Sequence, residues 1–190
     1  MCGRFGVDEK LVKSVKGQLA VQFAYSENMD IKPTNTVATL ASVDGVLTQK
    51  NCKWGIKPEW SKGLIINAKA ETAIDKPTFK ESFKQFRCVV PMSCWYEWRT
   101  EGEAKTKFQF SGLDHELLYM AGIYYLTDDR PQLVTLTTSP TNACAEYHQR
   151  MPLLIPRANI NSWLNSVEYA QYLSQNELLR KDDLFEITPQ

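Results

Sequence analysis

The second residue of the chain is a cysteine, placed directly behind Met1 in the run Met1-Cys2-Gly3-Arg4-Phe5. Cysteine is small, so methionine removal is expected to leave it as the new amino terminus. A terminal cysteine carries two nucleophiles on adjacent carbons, an α-amine with a pKa of about 7.7–8.0 and a thiol near 8.5. The amine can condense with an aldehyde to a Schiff base, and the thiol can then close a five-membered thiazolidine ring. No internal cysteine can do this. The plain alternative is an arbitrary residue in a frayed terminus, and Cys2 by itself does not decide between the two.

Other polar residues stand where they could assist such chemistry. Asn67 follows the apolar run Leu64-Ile65-Ile66, and an amide held on a strand end could orient an amine or a substrate. It could equally form an ordinary turn. Glu97 lies among rings in Cys94-Trp95-Tyr96-Glu97-Trp98. Desolvation there would raise its pKa toward general acid–base behaviour, whereas an outward-facing Glu would do nothing. Two-residue alternation groups Glu97 with Trp95 against Tyr96 and Trp98 and leaves the question open. His148 begins His148-Gln149-Arg150-Met151-Pro152; it reads either as a structural hydrogen-bonder or as an acid–base group beside a phosphate anchor, Arg150. In Trp54-Gly55-Ile56-Lys57-Pro58-Glu59-Trp60, Trp54 reads as core. Trp60 reads as a ring able to stack on an unpaired base, an interaction worth about 1–3 kcal/mol.

These residues need a scaffold. Periodicity predicts a helix from Asp8 to about Phe23, with Leu11, Val15 and Leu19 on one face. Strands are expected at 36–42 and 46–54 around the hairpin turn Asp44-Gly45. A short strand is expected over Leu64–Ala68, and a helix over Thr78–Phe83 with the capping-box spacing Thr78-x-x-Glu81. Strands at 87–92, 94–99, 107–110, 117–124 and 132–138 follow at close intervals with polar turns, which favours antiparallel pairing over βαβ units. The C-terminal quarter returns to helix, with Tyr169, Tyr172 and Leu173 on one face, before a last strand at 184–190. The expectation is an α+β fold: one domain over residues 1–190, a curved, mainly antiparallel, barrel-like sheet core and peripheral helices.

Bulk properties narrow the function classes. A hydrophobic fraction of 43% with 23% charged residues is that of a water-soluble globular chain. Neither a membrane-length apolar run nor a signal segment is present in the sequence, so a cytoplasmic protein is expected. Five irregularly spaced cysteines without a Cys-x-x-Cys pair argue against a disulfide framework and a zinc site; Cys88 and Cys144 read as buried small hydrophobes. The net charge is formally zero, so any nucleic acid would have to be held by cations gathered in one groove.

Taken in order, Met1-Cys2-Gly3-Arg4-Phe5, Trp54-Gly55, Asn67-Ala68-Lys69-Ala70-Glu71-Thr72, Cys94-Trp95-Tyr96-Glu97-Trp98, Thr137-Thr138 and His148-Gln149-Arg150-Met151-Pro152 resemble the abasic-site processing family, also called the SOS-response-associated peptidase or SRAP domain family. The resemblance implies a sensor of abasic sites in single-stranded DNA that joins the sugar aldehyde covalently through Cys2, without cofactor or metal. The resulting thiazolidine would shield the lesion during replication and the SOS response. Associated lyase activity and self-removal of Met1 are also implied. Carried onto this chain, Cys2 would supply both nucleophiles, Asn67 would position the amine or sugar, Glu97 would shuttle protons, and His148 would promote opening of the sugar ring. Arg4, Lys69 and Arg150 would hold phosphates, with Trp60 stacking beside the lesion. A monomer is expected, with replication-fork proteins as further partners.

Three departures from the family pattern stand out. Asp30 occupies the usual Asn position of an Asn-x-x-Pro element, where an acid would sit badly against a phosphate unless Lys32 compensates. Lys69 replaces an Arg, keeping the charge without the bidentate fork. The chain stops at Gln190, where relatives continue with a further segment, so less cover over a sheet edge or the DNA groove is expected. Two other readings remain at this point: a noncovalent single-strand-binding module in which Cys2 is incidental, and a cysteine hydrolase with an N-terminal nucleophile.

Overall fold

The structure, a computed structural model, describes residues 2–176 and 182–190. In chain order its elements are β1 (Phe5–Val7), α1 (Glu9–Leu19), β2 (Asn28–Ile31), β3 (Thr36–Val43), β4 (Val46–Trp54), β5 (Asn67–Lys69), α2 (Ala70–Ala73), α3 (Lys80–Gln85), β6 (Arg87–Met92), β7 (Cys94–Glu101), β8 (Ala104–Gly112), β9 (Leu118–Tyr125), β10 (Gln132–Thr138), α4 (Asn142–Ala145), β11 (Met151–Pro152), α5 (Ile160–Asn165), α6 (Val167–Gln175) and β12 (Phe185–Pro189). Short 3-10 turns link some of them.

The strands form two sheets. One is antiparallel throughout, ordered β12-β8-β7-β1-β2. The other runs β11-β10-β4-β3-β6-β9, and β9 pairs again with β10, so its strands curl back on themselves. Only the pairings of β10 with β4 and β5 are parallel. The α+β, mainly antiparallel, barrel-like expectation therefore holds. Ser93 is the single residue between β6 and β7; its N–H donates to Gly6 O and its hydroxyl accepts from Asp8 N–H. That corner pins the first strand to the point where the chain changes sheets.

One buried apolar cluster fills the space between sheets and helices. Trp54, Trp95 and Trp163 are fully buried, and two of the indoles use their N–H inside it: Trp54 donates to Ile66 O and Trp163 to Cys88 O. Trp95 stacks on Phe110 with ring centroids 4.7 Å apart. Arg87 is the buried cation of this region. It donates from Nε to Trp163 O, from Nη1 to Phe83 O and Lys84 O, and from Nη2 to Leu164 O. These carbonyls belong to the last turns of α3 and α5, where orphan acceptors and the helix dipole both favour a cation.

Several expected elements shift for identifiable reasons. The first helix stops at Leu19 because Ala20 adopts the left-handed conformation, φ 50°; beyond it Val21 and Phe23 are buried and Gln22 is exposed. The strand expected at Leu64–Ala68 pairs from Asn67 onward, with Ile65 making only an isolated bridge to Ile56. The Thr78 capping box does not form. A turn closed by Phe79 N and Lys80 N on Lys76 O delays the helix to Lys80, with Phe79 at the cap and no side-chain cap bond. In α6 the buried face is Ala170, Leu173 and Ser174, and Tyr172 is exposed rather than sharing a face with Leu173. No helix among the described residues is long and apolar enough to cross a membrane.

Candidate active site around Cys2

The segment bearing Cys2 lies against β7. Phe5 pairs with Trp95 and Gly6 with Cys94, and Arg4 O accepts from Tyr96 N–H at 3.0 Å. Continuing this antiparallel register brings residue 3 level with Glu97, so the carboxylate strand runs beside the terminus. Cys2 is fully buried. Its carbonyl accepts from Asn67 Nδ2 at 2.9 Å, and its thiol points toward Arg4 O at 3.9 Å.

Asn67 opens β5, which lies parallel to β10 with Asn67 level with Thr135. The Thr135 hydroxyl donates to Asn67 Oδ1. An amide can point either way, and this donor fixes the orientation: Oδ1 faces Thr135, so Nδ2 faces Cys2. Thr135 is fully buried.

Glu97 is buried on β7, opposite Phe108. Burial raises its carboxyl to about 7, with the positive amino terminus working the other way. Burial also pushes the Cys2 thiol far above its ordinary value, and the nearby Glu97 charge adds to the rise. The carboxyl is thus poised between its two forms near neutrality, and the thiol is held as S–H. His148 follows α4, its N–H bonded to Cys144 O. Its Nδ1 lies 3.0 Å from Arg150 N and 3.2 Å from Arg150 O, so it can accept from the one or donate to the other. Burial lowers its pKa, and the amino terminus adds to this.

The expected phosphate-holding residues are placed differently from one another. Arg150 is largely enclosed: Nη2 donates to Glu71 Oε2 at 2.7 Å and to Thr137 O at 2.6 Å, while Nε is buried without a partner among the described residues. The other Glu71 oxygen accepts from Thr138 Oγ1 and Ser139 N–H. Burial alone would raise Glu71; the Arg150 hydrogen bond, backbone N–H donors and the Arg150 charge together outweigh it and leave the carboxyl below its usual value. Lys69 is exposed at the end of β5. With Arg150, Lys76, Phe79, Thr137 and Asn67 it borders a cavity of about 330 Å³, a cationic recess that adjoins the amide contacting Cys2. Arg4 forms an ion pair with Asp30, so Arg4, not Lys32, answers the acid at that position. Trp60 is 69% exposed at the tip of a loop closed by the Ile56–Ile65 bridge. Gly55 enters that loop at φ 111°, where a Cβ would lie 2.7 Å from Leu64.

Cys2, Asn67 and Glu97 are therefore brought together, and His148 stands on the loop that follows α4. Lys69 and Arg150 share the adjoining recess. Arg4 and Trp60 stand on separate surface features. Sequence reasoning missed Thr135, an ordinary β-branched strand residue by type, and the partnership of Glu71 with Arg150. Among the described residues no group of three or more His, Cys, Asp or Glu is placed to hold a metal ion.

The comparisons with known proteins agree on the family. Residues 1–189 match the family described as SOS response associated peptidase (SRAP), and the chain belongs to it. It is 28% identical to the abasic site processing protein YoqW of Bacillus subtilis (strain 168), over 92% of this chain and 87% of that protein. It is 24% identical to the abasic site processing protein YedK of Escherichia coli (strain K12), over 86% and 79% respectively. The crystal structure of a phage-related protein from Bordetella bronchiseptica superposes with a TM-score of 0.81 at 23% identity, covering 99% of this chain and 93% of that one; this likeness concerns the fold.

Proposed function

We propose that this SRAP protein processes abasic sites in single-stranded DNA by forming a covalent adduct through Cys2. The observation that carries the reading is the Asn67 Nδ2 bond to the Cys2 carbonyl at 2.9 Å, an amide contact that fixes the backbone of residue 2 beside a carboxyl titrating near 7. Names of the relatives, abasic site processing proteins, support the same substrate.

The chemistry follows from two nucleophiles and one aldehyde. After hydrolysis of the Met1–Cys2 bond, an expected self-processing step, the free Cys2 amine adds to C1 of the ring-opened sugar. The carbinolamine loses water to give an imine. The thiol then adds to the imine carbon and its proton passes to nitrogen, closing the thiazolidine; one water is released overall. His148 assists ring opening, and Glu97 takes the proton from the attacking amine and returns one to the departing hydroxyl. At the imine stage, loss of a C2 proton with elimination of the 3′ phosphate is the lyase branch. Lys69 and Arg150 hold phosphates at the cationic recess, Arg4 adds a cation beside the terminus, and Trp60 stacks on a neighbouring base. The protein acts as a cytoplasmic monomer on strands exposed at replication forks, where fork proteins are its further partners.

The test is denaturing electrophoresis of Met1-processed protein with a single strand bearing one abasic site. A heat-resistant shifted band is expected with that strand, and none with an intact strand or with Cys2→Ala. An adduct that persists in Cys2→Ala refutes the reading.

A further inference from the structure

The loop bearing His148 is tied on each side to a different sheet. The tie toward the seven-stranded sheet is Arg150, bonded to Thr137 O on β10 and to Glu71. The tie toward the five-stranded sheet is Arg99, two residues beyond Glu97 on β7 and on the same face by strand alternation. The Arg99 guanidinium lies 4.9 Å from the centroid of Phe108 and 4.6 Å from that of Tyr147. Its Nε donates to Glu101 at 3.2 Å, and its Nη1 is 3.7 Å from Glu146. Tyr147 also meets Phe108 and Phe110 edge-on, with centroids at 4.7 and 5.3 Å. Glu146 and Tyr147 immediately precede His148, and Phe108 is the cross-strand partner of Glu97.

We infer that Arg99 is a positioning residue: it latches the Glu146–Tyr147 turn onto β7 and so sets where His148 stands relative to Glu97. The role rests on the function proposed above. The contacts of Nδ1 with Arg150 and the backbone bond from His148 N–H to Cys144 O lie within the residue's own loop. Arg99, on β7, meets the Tyr147 ring and the Glu146 carboxylate of that loop, while its other ring contact, Phe108, belongs to β8. A planar cation suits such a place, because it can lie over rings and pair with acids at its edge at the same time. Glu97 belongs to one sheet and Asn67 to the other, so a loop tied to both can set the ring's place relative to each.

Arg99→Met keeps the aliphatic stem and removes the cation. Single-turnover adduct formation over a range of protein concentrations separates strand affinity from the limiting first-order rate. Affinity is expected to stay within about twofold while the limiting rate falls about tenfold, the scale of a misplacement smaller than the 1 Å that can cost about a hundredfold. Arg99→Lys should recover part of the loss. Tyr147→Leu should reproduce it, and the double variant should fall no further. The chain has two histidines, so the His148 imidazole resonance of the free protein is readily assigned; it should shift or broaden in Arg99→Met. An unchanged limiting rate with an unmoved resonance overturns the latch. A shifted resonance in a protein whose unsubstituted form makes no adduct would support the latch and refute the function proposed for Cys2.

Discussion

Replacing Thr135 by valine removes one hydroxyl from a fully buried position and keeps the shape of the side chain. That hydroxyl donates to Asn67 Oδ1 and lies 3.1 Å from Ile66 O. Ile66 O keeps two other donors, Thr135 N–H at 3.0 Å and Trp54 Nε1 at 3.1 Å, so the loss falls on Asn67. Its amide is half-buried, which puts the cost at the lower end of the about 1–3 kcal/mol for an acceptor left without its donor. About 1 kcal/mol is then the bias that keeps Nδ2 turned toward Cys2. Removing it populates the flipped amide, whose oxygen would face the Cys2 carbonyl oxygen; a bias of this size is roughly a fivefold equilibrium, so its loss takes the productive orientation from about five-sixths of the molecules to about one half. Single-turnover adduct formation with an abasic strand should therefore slow by about 1.7-fold in Thr135→Val. The thermal midpoint should fall by only about 2–4 °C, as for 1 kcal/mol in a chain of this size, and Thr135→Ser should restore both. A folded Thr135→Val protein that reacts at the unsubstituted rate would refute the claim that Thr135 sets the amide.

Two further outcomes follow from the electrostatics. With Glu97 at about 7, the carboxylate needed to accept the amine's proton is lost as pH falls through that value, while the terminal amine itself protonates below about 7.7–8.0. The slope of log rate against pH should approach two below pH 6 and drop to one in Glu97→Gln; a slope of two retained in the variant would remove Glu97 from the proton path. Asp30→Asn frees Arg4 from its ion pair, so noncovalent binding of a single strand, measured by anisotropy on the Cys2→Ala background, should tighten. Its log–log salt slope should steepen by about 0.7, the value for one further phosphate contact, and an unchanged slope would mean that Arg4 does not meet the strand.

What the sequence makes legible here is local or periodic. The Asp44-Gly45 turn takes positive φ at both residues, as its composition demands, and β3 and β4 pair around it in the expected register. Burial of Glu97 could be suspected from its aromatic neighbours, but alternation could not decide it, because Tyr96 on the opposite face is buried as well. The ties that orient the site are long-range and escape any window of sequence: Thr135 to Asn67, Arg150 to Glu71, Arg99 to Tyr147 and Arg4 to Asp30. Each joins residues on different elements, and neither member of a pair has a type that announces its partner. Asp30 illustrates the limit. Its charge was a visible departure from the family pattern, yet which cation answers it depends on β1 lying next to β2, a fact of topology.

The burial of Cys2 bears on the order of bond formation in the proposed reaction. A thiol pushed far above its ordinary value by burial and by the Glu97 charge is protonated at neutral pH, and a protonated thiol is a poor nucleophile. The amine, whose ordinary pKa is about 7.7–8.0, is the group with a substantial unprotonated fraction, so it attacks first. Once the imine has formed, its nitrogen is a base next to the thiol, and the S–H proton has an acceptor within the same five-atom ring. The thiol then becomes a nucleophile only at the carbon that has already reacted. The same enclosure that makes Cys2 inert toward stray electrophiles thus makes it selective for an aldehyde that its own amine has captured, and the amide of Asn67 fixes the backbone from which both nucleophiles extend.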